Sequence, residues 1–109
     1  MNRSAVVVTA KQPFLDWLRS VDPTSHHLTL KELNEDPSVY LLPECETEEQ
    51  SKRQLQNFCH EIFADQLDGW WRDQSVWPRN LGIRLFKRWF DCKLHSMVFD
   101  LARSRRKAH

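Results

Sequence analysis

Three cysteines, five histidines and five tryptophans are the residues of this chain best suited to chemistry or recognition. A cysteine nucleophile attacks as the thiolate and needs a base beside it. Cys45 follows Pro43-Glu44 at a strand exit, a place where active sites of α/β proteins often lie. His95 or His60 would be its base, and no spacing in the sequence enforces either pairing. Ser96 adjoins His95, but neighbours on a strand point to opposite faces. Zinc needs three or four converging ligands. Cys92 and His95 sit three apart, on opposite faces of a strand. Cys59 and His60 diverge by about 100° on a helix. His26-His27 is a loop pair that could join Cys45, again without a spacing that enforces it. No catalytic set, metal site or cofactor follows from these residues. Glu44, Glu46, Glu48 and Glu49 read as a helix start that complements its dipole.

The tryptophans carry the recognition reading. Trp17, Trp70, Trp71, Trp77 and Trp89 could stack on bases or sugars, anchor a protein interface, or fill a core at about 150–250 Å² buried per ring. Most fall on apolar helical faces and are expected in the core. Trp71 and Trp77 are expected to be partly exposed. With Arg72, Arg79 and His95 they form the candidate binding set. His95 shares a strand face with Met97, Phe99 and Leu101, which reads as a structural histidine hydrogen-bonded to a carbonyl or to an acid such as Asp100.

Composition removes several classes. With only Gly69 and Gly82, neither a phosphate-binding P-loop nor a dinucleotide fingerprint can be written. An odd number of widely spaced cysteines argues against a secreted disulfide framework and for a reduced, cytoplasmic setting. No apolar run approaches the ~20 residues of a membrane span, and Ala5–Val8 is too short for a signal-peptide core. The net charge of +1 is uneven: −3 over residues 1–101 and +4 over 102–109. That balance predicts one domain over 1–101 and a loose basic tail, 102–109, able at most to add weak, salt-sensitive contacts to nucleic acid.

The elements that must position these residues follow from periodicity and capping. Residues 5–10 are a β-branched run, expected to be a strand covered on both faces. Pro13 suits the first turn of a helix, with Phe14, Trp17, Leu18 and Val21 on one face and Asp22-Pro23 ending it. Thr29–Glu32 has capping-box form for a short turn, 30–35. Val39–Leu42 is the second strand. Thr47–Gln50 opens a long amphipathic helix whose apolar positions run from Leu55 through Trp71, with Gly69 either ending it or lying within it. A further helix starts near Asn80 and carries Leu81, Leu85, Phe86, Trp89 and Phe90; residues 93–101 form the last strand. The order is β-α-(short α)-β-α-α-β. It predicts an α+β fold: a small three-stranded mixed sheet with three helices packed on it.

The segments Trp77-Pro78, Phe86-x-x-Trp89-Phe90 and His95-Ser96-Met97-Val98-x-Asp100-Leu101, with Val39-Tyr40-Leu41 and Phe63-x-x-x-Leu67-x-x-Trp70 upstream, resemble a group of short bacterial proteins. The resemblance spans most of residues 3–101 and carries no established activity. It implies a small cytoplasmic α+β protein of bacterial origin. The functional expectation is a non-enzymatic binding or interaction module, with a homodimer as one form it could take. The alternatives are a nucleic-acid accessory protein, using the tail with Arg72, Arg79, Arg84, Lys87 and Arg88, and a small enzyme using Cys45 or His95.

Overall fold

The β-branched run forms the central strand. In the computed structural model, which describes residues 3–102, β1 (Arg3–Ala10) lies between β2 (Ser38–Pro43) and β3 (Phe90–His95) in the order β2-β1-β3. Val6 and Val8 point to one face and are buried. The helices α1 (Gln12–Val21), α2 (Leu30–Leu33), α3 (Glu48–Trp70) and α4 (Ile83–Trp89) complete the α+β fold. Among the described residues no helix is long and apolar enough to cross a membrane.

Both neighbours of β1 run antiparallel to it, so the sheet is not mixed. The reason lies at Ala10. The α1–α2 excursion returns the chain to this end of β1. There the Asn34 amide accepts from the Ala10 N–H at 2.8 Å and donates to its carbonyl at 3.0 Å. β2 therefore sets out beside the end of β1, pairing Ser38 with Val8. α4 delivers the chain to the same end, where the Lys11 N–H donates to the Trp89 carbonyl at 2.8 Å and Phe90 pairs with Ala10.

Local signals set the helices. Thr29 and Glu32 make the reciprocal capping box at α2. Thr47 accepts from the Gln50 N–H at α3, while the Gln50 side chain accepts from the Glu46 N–H at 2.7 Å. Gly69 lies inside α3, and Trp71 is its C-cap. α4 begins after Gly82, slightly later than its apolar spacing suggests, and stops at Trp89. Phe90 fits both the helical spacing of Leu85, Phe86 and Trp89 and the alternation Phe90–Cys92–Leu94. Pairing with β1 decides in favour of the strand.

The last strand is accordingly 90–95 rather than 93–101, and its β1 ladder ends at Ala5–His95. Met97, Phe99 and Leu101 stand exposed after it. The segment beyond Ala102, which holds the four basic residues of the expected tail, lies outside the described residues.

The core fills the space between the sheet's inner face and the helices. Phe14, Phe63, Phe86 and Phe90 are fully buried. Phe63 touches Phe86, Trp89 and Phe90 with centroids 5.9, 5.5 and 5.3 Å apart, and Phe14 meets Trp17, Trp89 and Phe90. These tilted and edge-on ring pairs add to the area they bury.

Candidate functional site

Trp71 and Trp77 come together in the loop that follows α3. The Trp77 indole N–H donates to the Trp71 carbonyl at 2.7 Å, and the Trp17 indole donates to the Val76 carbonyl at 2.9 Å. Trp71 and Trp77 are half-buried, and Trp77 packs against the core. Arg72 and Arg79 stand exposed nearby in the chain, as do Arg84, Lys87 and Arg88 on α4. The most open indole is Trp70, 43% exposed at the last residue of α3.

His95 lies at the far end of β3. It is exposed, and its imidazole makes no hydrogen bond among the described residues, in contrast to the satisfied structural histidine its spacing suggests. It shares a pocket of about 220 Å³ with Cys45, Ser4 and Ser51. The fold thus joins two residues that no sequence spacing connects. Cys45 is buried, its S–H donates to the Pro43 carbonyl at 3.2 Å, and its backbone N–H donates to Ser4 Oγ at 3.0 Å. Burial pushes the Cys59 thiol up, and burial followed by the Asp91 charge pushes Cys92 up to about 11. Both favour the neutral thiol. Among the described residues no three His, Cys, Asp or Glu side chains gather as a metal site.

The densest polar arrangement is elsewhere, where the inner face of β2 meets α3. Ser38 and Tyr40 alternate along β2, while Asp65 and Gln66 are neighbours on α3. The Tyr40 hydroxyl donates to Asp65 Oδ2 at 2.5 Å. The Gln66 amide donates to Tyr40 Oη and to Ser38 Oγ, both at 2.8 Å. Burial, then the Asp65 carboxylate, pushes the Tyr40 phenol up to about 12, against the opposing Gln66 hydrogen bond. Ser38, Asp65 and Gln66 of this network line a groove that runs past Gly69 to Trp70. Sequence reasoning missed it because its members are 25 to 28 residues apart. The one available signal was the polar pair Ser38 and Tyr40 at alternate positions of an otherwise apolar strand.

Among the described residues no layer covers the outer face of the sheet. Val39 is 57% and Leu41 61% exposed, and Val7 is half-exposed between its strand neighbours. Asp91, Lys93 and His95 take the outer positions of β3. β1 is therefore covered on one face only. The exception is Ala5, buried between its register partners Leu41 and His95. Comparison with known proteins finds no matching family, no similar curated protein and no similar solved structure.

Proposed function

We propose that this chain is a non-enzymatic binding module that self-associates through the outer face of its sheet, a second copy being the occupant. The observation that carries the reading is the exposure of Val39 and Leu41 on a face that none of the described residues covers. An antiparallel sheet wetted on one side ordinarily alternates apolar-in with polar-out. Here the outward positions of β2 are apolar, while those of β3 are polar and include Asp91 and Lys93.

The charge order favours a second copy over an unrelated partner. Asp91 and Lys93 are successive outer positions on one strand, so a two-fold-related copy can set Lys93 against Asp91 twice. A surface that complements itself is what an isologous dimer requires. Met97, Phe99 and Leu101, exposed directly after β3, add apolar surface to such a contact. The Trp71–Trp77 loop with Arg72 and Arg79 is a weaker candidate, because both rings are half-buried and the Trp77 indole N–H is already engaged. Reduced thiols and the resemblance of the C-terminal third support a bacterial cytoplasmic setting.

Sedimentation velocity over a concentration series tests the reading. The expected result is a dimer that Leu41→Glu converts to a monomer with an unchanged circular dichroism spectrum, while Trp77→Ala leaves it dimeric. A monomer at every concentration up to ~1 mM, where even weak association registers, overturns it.

A further inference from the structure

The groove beside Trp70 has a hydrogen-bond inventory that specifies its ligand. Two adjoining cavities of about 280 and 190 Å³ share Ser38, Gln66, Gly69 and Trp70. Most side-chain donors along it are already spent. Gln66 gives its amide hydrogens to Ser38 and Tyr40, Tyr40 gives its proton to Asp65, and Asn34 is tied to Ala10. What remains is mostly acceptors: the carboxylates of Asp36 and Asp68, which make no ion pair or hydrogen bond among the described residues, the second oxygen of Asp65, and the Gln66 carbonyl. The Ser38 hydroxyl, the Trp70 indole N–H and the second amide hydrogen of Asn34 are the side-chain donors left. Among the described residues no Lys, Arg or His lines either cavity.

Acceptors with unneutralised negative charge, beside an open indole, suit a group that is all donor and positive. We propose that this groove binds an organic cation, an alkylammonium or guanidinium head seated against Trp70 in the field of the carboxylates on either side, Asp36 in one cavity and Asp65 and Asp68 in the other. The indole contributes through its quadrupole, and the carboxylates through charge-assisted hydrogen bonds. A sugar fits worse, since its oxygens need donors and its binding would desolvate the carboxylates without neutralising them. A metal ion has no use for the indole, and these carboxylates do not gather as metal ligands do.

The test uses n-butylammonium and n-butylguanidinium as probes and n-butanol as the uncharged control. The Trp70 indole N–H is followed by nitrogen-edited NMR of the full chain. Both cations are expected to shift this signal saturably, with n-butanol binding at least about tenfold more weakly. The Asp36→Asn/Asp68→Asn double variant, read at the Trp70 indole, and Trp70→Leu, read at the backbone N–H of Gly69 in the same groove, should each lose about tenfold in cation affinity, the equivalent of ~1.4 kcal/mol. The unmoved signals of the other indoles report that the fold is intact. Equal shifts from n-butanol, no shift at saturating millimolar cation, or undiminished binding in both variants each overturn the proposal. So does loss of the cation shift in a variant whose other indole signals show it unfolded, unless Asp68→Asn alone, on the exposed face of α3, reproduces the loss in a folded chain.

Discussion

Tyr40 is the single tyrosine of the chain, so its ionisation can be followed without interference from another phenol. The perturbation is pH. An ordinary phenol titrates near 10, whereas burial and the Asp65 carboxylate push Tyr40 up to about 12. At pH 11 an unshifted phenol would be about 90% ionised, and Tyr40 only about 10%. Tyrosinate absorbance in the near ultraviolet reads that difference directly, with far-ultraviolet circular dichroism showing that the chain stays folded. Two variants separate the causes by sign. Asp65→Asn removes the acceptor and its charge, and should lower the midpoint. The midpoint should still exceed 10, because burial is the largest cause and remains. Gln66→Ala removes a donor that favours the phenolate, and should raise it. The same shift makes stability depend on pH. The folded state holds the phenol proton more tightly than the unfolded chain does, so this contribution is complete below about pH 10 and is lost as pH rises through about 12. A midpoint near 10 in a folded chain, or variants that both shift the same way, would refute the network as described.

The aromatic core predicts that Phe63→Ala, at a fully buried ring touching three others, costs about 3–5 kcal/mol. That is a large part of the 5–15 kcal/mol typical of a domain, and urea unfolding should show a midpoint far below the parent's. Gly69→Ala should stabilise α3 by about 0.5–1 kcal/mol, because a Cβ there meets nothing within 4 Å; a lower melting temperature would contradict the open placement of this residue. Cys92, pushed up to about 11, should alkylate roughly a hundredfold more slowly at neutral pH than an ordinary thiol and accelerate as pH approaches 11. Peptide mass spectrometry of the labelled chain distinguishes it from Cys45, whose preferential fast labelling would revive the thiol-enzyme reading.

The helices were legible in the sequence because their determinants are local. Pro13, the Thr29–Glu32 box and Thr47 act within a turn of their own positions, and apolar spacing within one helix records the face it buries. The central strand β1 and the edge strand β2 were legible from their branched, apolar runs. Tertiary structure decided what depends on partners distant in the chain. The sheet is antiparallel because Asn34 and Trp89 both bring the chain back to one end of β1. Phe90 joins a strand because Ala10 is there to pair with it, and β3 stops at His95, where its ladder with Ala5 ends. The candidate sites belong to this second class. Cys45 meets His95 across a strand end, and Tyr40 meets Asp65 and Gln66 across the β2–α3 contact. A local pattern records the face an element buries. It does not record which element covers that face, or that the opposite face of this sheet is left open.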